Sequence, residues 1–135
     1  IRVAGTMKQT SGGSIKNSRG GSGAGQCWGK PAEWVDYYGP VDGKEVGVTI
    51  MDHPDSFRHP THWHVRDYGL FAANPFGHRH FYGRKEAEKG AYRMQKGKAI
   101  RFKYRLYIHH GDTAKSGVAN VYAGFSHPPL LHLKR

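Results

Sequence analysis

Residues 34–51 read Trp34-Val35-Asp36-Tyr37-Tyr38-Gly39-Pro40-Val41-Asp42-Gly43-Lys44-Glu45-Val46-Gly47-Val48-Thr49-Ile50-Met51, and this stretch decides the fold. Its two ends are rich in β-branched and aromatic residues, which favour strands. The Pro-x-Asp-Gly sequence between them, from Pro40 to Gly43, is typical of a tight turn. We therefore predict an antiparallel hairpin made of residues 34–38 and 45–51.

Further strands are predicted on the C-terminal side of this hairpin. A short strand lies around Trp63-His64-Val65, and a loop follows over residues 69–77. A longer strand runs from Ala99 to His110 after the turn Lys96-Gly97-Lys98. Apolar and basic residues alternate in it, which predicts one buried and one basic face. The expected buried face is Phe102, Tyr104, Leu106 and Ile108, and the opposite face is Arg101, Lys103, Arg105 and Tyr107.

One helix is predicted late in the chain, over residues 113–125. Asp112 or Thr113 would cap its N-terminus, and Pro128-Pro129 would stop it. Its apolar side would consist of Val118, Val121, Tyr122 and Phe125. The expected fold is therefore mostly β: an antiparallel β-sandwich over residues 26–127 with one late α-helix, followed by a basic tail over residues 128–135.

Residues 1–25 form a Gly/Ser-rich segment with scattered Lys and Arg, which is typical of a linker or arm. Because this segment has few side chains to bury, its order would come from backbone pairing with a sheet. That sheet would belong to its own subunit or to a neighbour's.

The composition indicates one domain with its own core, since 135 residues include three Trp, eight Tyr and six Phe. The single cysteine, Cys27, excludes an intrachain disulfide. No apolar run approaches the ~20 residues of a membrane-spanning helix. The net charge of +11 suits an acidic partner. The basic strand face carrying Arg101, Lys103 and Arg105 is interpreted as a solvated edge, so nucleic acid is not the expected partner.

Histidines are concentrated in residues 52–69, which hold four of the ten in the chain. Histidine titrates near neutrality and is the commonest general acid or base. A histidine beside an aspartate would form a proton-transfer pair, and the candidates are His53, His59 or His64 with Asp36, Asp52 or Asp67. Arg58 and Arg66 would clamp a carboxylate or stabilise developing negative charge.

Two His-x-His pairs raise the alternative of a metal site. If residues 62–64 and 78–80 are strands, each pair lies on one face, and a carboxylate from Asp52 or Asp67 would complete a Zn, Cu, Fe or Mn site. Pro75-x-Gly77-x-x-His80 matches a cupin motif by letters, but the spacing to His62-x-His64 is too short for the intervening cupin strands. The histidines could equally satisfy backbone groups in a polar loop network.

Several sequence blocks resemble one bacterial family. They are Trp28-Gly29-Lys30, Trp34-Val35-Asp36-Tyr37-x-Gly39-Pro40-Val41-Asp42-Gly43, Asp52-His53-Pro54, and Arg58-His59-Pro60-Thr61-x-Trp63-His64-Val65-Arg66-x-Tyr68-Gly69-Leu70-Phe71-Ala72-Ala73-Asn74-Pro75-Phe76-Gly77. The likeness spans roughly residues 13–125. The family has unknown function and is usually labelled PmoA family, or methane oxygenase PmoA-like. The chain resembles the C-terminal half of its members.

This resemblance implies a carbohydrate-related β-sandwich of the supersandwich kind, in proteins that are often exported, with the His/Arg loop in a concave face. We therefore expect an extracellular or periplasmic protein that binds or acts on a sugar or sugar acid. The expected catalytic residues are His53, Arg58, His59 and His64, and the expected substrate-binding residues are Asp36, Trp63, Tyr68 and Asn74.

Two alternatives stay open. The first is a structural subunit that assembles into an oligomer or filament through residues 1–25. The second is an oxygenase-like protein with a metal held by His62, His64, His78 and His80. The sequence identifies no cofactor and does not decide whether the protein is an enzyme.

Overall fold

The computed structural model describes residues 1–129. Its strands are β1 (Ser14–Asn17), β2 (Trp34–Val41), β3 (Lys44–Asp52), β4 (Trp63–Val65), β5 (Phe71–Ala73) and β6 (Tyr104–His110). Its α-helices are α1 (Ala24–Cys27), α2 (His78–Tyr82) and α3 (Val118–Ser126), and 3-10 helices lie at Gly5–Met7, Gln9–Ser11 and Arg84–Gly90. The mostly antiparallel β fold with a late helix is confirmed. Of the predicted basic tail, residues 130–135 lie outside the described residues.

The hairpin that decides the fold is confirmed and is longer than predicted. β2 and β3 pair antiparallel from Trp34 opposite Met51 to Val41 opposite Lys44. The two residues between them, Asp42 and Gly43, have positive φ angles of 49° and 74°. This left-handed pair matches the right-handed twist of the flanking strands, which is why Asp-Gly is favoured there.

Two sheets enclose the main core. The larger sheet has the order β1-β2-β3-β6, and the smaller one pairs β4 with β5. Side chains from both sheets meet in one cluster that includes Ile15, Val35, Tyr37, Ile50, Trp63, Val65 and Phe71. On the other face of the larger sheet, α3 packs Val118 and Phe125 against Met51. None of the helices in residues 1–129 is long and apolar enough to cross a membrane.

The Gly/Ser-rich arm is ordered by its own chain. β1 pairs antiparallel with β2. Farther upstream the arm crosses β2 at Gly39, where an added Cβ would lie 2.9 Å from Gly13 Cα and 3.0 Å from Met7 Cα. The buried Tyr37 hydroxyl accepts a hydrogen bond from Gln9 N at 3.0 Å and donates one to Asp67 O at 2.9 Å. The arm is thereby joined both to the large sheet and to the segment after β4.

The late strand differs from its prediction in length and in its buried face. β6 begins at Tyr104 rather than Ala99. Leu106 and Ile108 are 57% and 79% exposed, so the predicted buried face is wrong. They lie opposite Ile50 and Val48, on the core side of the sheet, but β6 is an edge strand. The two short strands of the smaller sheet cover the middle of the large sheet and leave this edge open.

The late helix begins five residues after its predicted start of 113, at Val118. The chain first makes a turn, in which Asp112 Oδ1 accepts a hydrogen bond from Lys115 N at 2.7 Å. Gly117, with a φ of 64°, then precedes the helix. Thr113 caps no helix, because its hydroxyl donates to Asp36 Oδ2 at 2.6 Å. The predicted apolar side of the helix does pack on the sheet.

Hydrogen bonds to Glu33 connect the loop after β1 with the residue before β2. Its carboxylate accepts hydrogen bonds from Ser18 Oγ at 2.5 Å and from Arg19 Nη2 at 2.8 Å. Burial alone would raise the pKa of the Glu33 carboxyl, but the hydrogen bonds from Arg19 and Ser18 outweigh it and lower that pKa from 4.5 to about 2. Because the folded-state pKa is depressed, this contact stabilises the fold above pH 4.5 and loses its effect as the pH falls towards 2.

We expect the Glu33→Gln variant to lose this acid-dependent part of the stability. Between pH 4.5 and about pH 2, the urea midpoint of the wild type should fall more steeply than that of the variant. Glu88→Gln is the matched control, because the exposed Glu88 side chain makes no hydrogen bond to the described residues. Parallel midpoint curves for the wild type and Glu33→Gln would contradict this assignment.

Candidate functional site

A buried aspartate–histidine pair lies at the end of β3. Asp52 is fully buried, and its Oδ2 is 3.0 Å from His59 Nδ1 and accepts a hydrogen bond from Thr61 N at 2.9 Å. Since a carboxylate accepts, this contact favours the neutral tautomer of His59 that carries its proton on Nδ1 and a lone pair on Nε2. The His59 side chain is 18% exposed, and its Nε2 has no hydrogen-bond partner in the described chain. The pair can therefore exchange a proton with a bound molecule.

Two unsatisfied polar groups lie beside this pair. Asp52 Oδ1 and the Tyr104 hydroxyl are buried without a hydrogen-bond partner among residues 1–129. The two residues are direct partners in the β3–β6 register. Burial and then the charge of Asp52 raise the pKa of the Tyr104 phenol, and the nearby Thr61 side chain, which is outside hydrogen-bond geometry, opposes this only in part. The hydroxyl therefore remains a donor at neutral pH. Because unpaired buried polar groups are rare, they indicate a place where polar atoms of a ligand or water belong.

Tyr104 also lines a cleft with aromatic walls. The cleft has a volume of about 310 Å³ and is lined by Ala73, Asn74, Pro75, Phe76, Phe102 and Tyr104. The Phe102 and Tyr104 rings stack with centroids 6.2 Å apart and planes 7° apart. Phe76 and Phe102 are 47% and 37% exposed, so the walls are open to solvent. Flat apolar walls with a few polar atoms suit a small ring that carries hydroxyl groups.

Arg58 shapes this cleft instead of clamping a ligand. Its Nη1 donates to Pro75 O at 2.9 Å and Gly90 O at 2.8 Å, and its Nη2 donates to Ala91 O at 3.0 Å. The guanidinium also lies 5.3 Å from the centroid of the Phe76 ring. These contacts direct three of the five guanidinium N–H groups at the protein's own backbone. The predicted catalytic role of Arg58 is therefore corrected to positioning a cleft wall.

A larger cleft, of about 370 Å³, lies between α3 and the opposite face of the sheet and includes Trp34 and Tyr38 in its lining. Next to it is Asp36, which was expected to bind substrate. Asp36 is fully buried, and its oxygens accept from Thr49 Oγ1 at 3.0 Å and Thr113 Oγ1 at 2.6 Å, while His109 Nε2 lies at 3.0 Å. With both oxygens hydrogen-bonded and no access to solvent, Asp36 is a structural carboxylate.

His53 and His59 lie on opposite faces of the larger sheet, because successive side chains along a strand point to alternate faces. Asp52 points to one face of the sheet, so His53 points to the other, where its ring packs on Phe125 of α3 at 4.9 Å. His53 is 5% exposed, and its Nε2 is 3.0 Å from Lys103 Nζ. The structure thus places it outside the Asp52–His59 site.

The residues that were expected to bind a sugar do not lie together in one site. Trp63 is fully buried, and its Nε1 donates to Ala32 O at 2.9 Å, so it belongs to the core and offers no stacking surface. Tyr68 is 45% exposed but lies against Arg2, outside the cleft lining. Asn74 does line the cleft, where its Oδ1 accepts from Phe76 N at 3.2 Å.

The four histidines of the expected metal site are close to one another only in pairs, never as a group of three or four. His78 and His80 lie on α2 and not on a strand, so their side chains diverge by about 200° around the helix. The His62 and His78 rings are 5.8 Å apart and nearly perpendicular. His64 lies on β4 and His62 immediately precedes that strand, and burial followed by neighbouring cationic groups lowers the pKa of both. Within residues 1–129, no group of three or more His, Cys, Asp or Glu side chains is arranged to hold a metal ion.

The cleft residues that the sequence did not single out are Phe76, Phe102 and Tyr104. Phe102 and Tyr104 were placed on a buried face by alternation, and only the long-range approach of residues 73–76 shows that they form a wall. Their aromatic character beside Asn74-Pro75-Phe76 is the one sequence signal that could have found them.

Comparison with known proteins gives one family match. The matching model is described as a family of unknown function, DUF6807, and it covers residues 1–123. No curated protein and no solved structure matches the chain. The match is to DUF6807 and not to a PmoA family, which corrects the family expected from the resemblance. Because the family model matches 123 of the 135 residues, including the Gly/Ser-rich arm, the chain belongs to the DUF6807 family.

Proposed function

We propose that this domain binds a sugar or sugar acid in the cleft walled by Phe76, Phe102 and Tyr104, and that His59 acts on the bound molecule as a general base. The observation that carries the proposal is the Asp52–His59 pair with two unsatisfied buried polar groups beside it. One of these groups is the hydroxyl of Tyr104, which lines a ligand-sized cleft. Its volume of about 310 Å³ is at the lower end of ligand pockets, which suits one monosaccharide unit.

Each group has a distinct part in this function. Asp52 holds the Nδ1 proton of His59 and stabilises the imidazolium that forms when Nε2 takes a proton from the ligand. The Tyr104 hydroxyl, kept protonated by its surroundings, donates to a ligand oxygen. Phe76 and Phe102 contact the apolar face of the ring. The net charge of +11 favours the approach of an acidic sugar.

The test combines binding and turnover across a panel of neutral monosaccharides, keto-sugars and uronates. We expect Phe102→Ala to weaken binding at least about tenfold, because it removes one stacking wall. His59→Ala should retain binding and lower turnover by about 10²–10⁴-fold, the usual contribution of a general base. His110→Ala is the matched control, since His110 is exposed on β6 and makes no side-chain hydrogen bond to the described residues.

Two results would count against the proposal. One is the absence of binding by the wild type across the whole panel. The other is equal binding and turnover in His59→Ala, Phe102→Ala and His110→Ala. The assembly and oxygenase alternatives, and the extracellular or periplasmic location, stay predictions.

A further inference from the structure

Trp28 and Arg66 stack on each other away from the cleft, and each carries an unsatisfied donor. The Arg66 guanidinium carbon lies 4.6 Å from the centroid of the Trp28 ring. Arg66 Nε and Trp28 Nε1 are both buried, and neither has an acceptor among residues 1–129. A buried N–H without an acceptor is destabilising by about 1–3 kcal/mol, so two such groups on stacked side chains call for acceptors from outside these residues.

The positive charge beside these donors is that of Arg66 itself, because the lowered pKa of His64 favours its neutral form at neutral pH. None of the ion pairs in the described chain includes Arg66. His64, on the neighbouring β4, has its pKa lowered by burial and then by the charges of Arg66 and His80. No acidic side chain forms an ion pair with these three residues in residues 1–129. Such surroundings repel cations and attract anions.

The arrangement is held in place by Phe81 of α2. The Phe81 ring packs edge-on against Trp28 at 5.2 Å and against His64 at 6.1 Å. An added Cβ at Gly29 would lie 3.0 Å from the Phe81 ring, so the ring also fits closely against the chain after Trp28. A site whose walls are fixed before binding loses little conformational entropy when it is occupied.

We infer that Trp28, His64 and Arg66 form an oxyanion-binding site, which takes a carboxylate or a phosphate group. Arg66 supplies a planar charged donor that suits two oxygens of such a group, and Trp28 supplies a neutral N–H. None of these residues lines the cleft of the proposed function, so this inference is independent of it.

The test follows the two donors directly by ¹H–¹⁵N NMR on the full chain. Sodium glucuronate and inorganic phosphate are titrated separately, with glucose as the neutral control, and Trp28→Phe identifies the indole signal. We expect saturable shifts of the Trp28 Nε1–H and Arg66 Nε–H signals with at least one anion and none with glucose. The anion that binds more tightly identifies the source as a carboxylate or a phosphate.

Arg66→Gln should weaken this binding at least about tenfold, because it removes the charged donor. Arg93→Gln, at an exposed arginine, should leave it unchanged. The indole signal of the buried Trp63 reports whether each variant is folded. Phe102→Ala should also leave the shifts unchanged, which separates this site from the cleft. Unmoved signals with both anions, or equal titrations in the wild type and Arg66→Gln, would overturn the inference.

Discussion

Replacing Trp63 with alanine is expected to lower the free energy of unfolding by about 3–5 kcal/mol, a large fraction of the total stability of a small domain. Trp63 is fully buried between the two sheets, its ring lies 6.1 Å from Phe71, and its Nε1–H is bonded to Ala32 O. The substitution would leave a cavity and an unsatisfied carbonyl. Urea denaturation followed by far-UV circular dichroism measures the change.

Tyr68→Ala is the control for this experiment, because Tyr68 is an aromatic residue on the same segment but is 45% exposed. Its effect on stability should stay within about 1 kcal/mol. If Trp63→Ala were as stable as the wild type and lost only sugar binding, Trp63 would be a stacking platform and the core assignment would be wrong.

Replacing Asp36 with alanine is expected to lower the free energy of unfolding by about 3–5 kcal/mol. The change would remove the acceptor shared by Thr49, His109 and Thr113. Asp36 is fully buried, and the His109 side chain is 1% exposed. Water cannot replace the lost acceptor without opening the contact between α3 and the sheet. The measurement is again the urea midpoint and its slope.

Thr113→Ala removes one donor and leaves the carboxylate in place, so its expected effect is about 1 kcal/mol. This ratio between the two variants distinguishes a shared buried acceptor from three independent hydrogen bonds. Equal effects of Asp36→Ala and Thr113→Ala would contradict the network.

The fold was predictable from the sequence where the decisive interactions are local. The hairpin of β2 and β3 depends on a turn whose residues are adjacent, and its strands carry their own alternating pattern. The buried face of β6 was not predictable, because Leu106 and Ile108 have the pattern of core residues. Their exposure depends on how far the smaller sheet extends, which no local pattern records.

The candidate site was predictable in part for the same reason. Asp52 and His59 are seven residues apart, and the loop between them brings them together, so this pair was among the expected ones. Asp36 and His109 are 73 residues apart and meet only through the register of three strands. For Arg58 the residue type suggested a ligand clamp. Its role depends instead on the backbone carbonyl oxygens of two loops that are distant in sequence and accept its hydrogen bonds.

That role of Arg58 has a consequence for how the protein tolerates mutation. Arg58 holds Pro75 and Ala91 through their carbonyl oxygens, which every amino acid possesses, so the side chains at those two positions can vary without losing the contact. Gly90 is restricted further, because an added Cβ would lie 2.5 Å from His78 Cβ. Position 58 cannot vary in this way, because its side chain must donate three hydrogen bonds and its backbone must adopt a φ of 62°. The genetic constraint on the cleft wall is therefore concentrated at positions 58 and 90, while the side chains at positions 75 and 91 remain free to diverge.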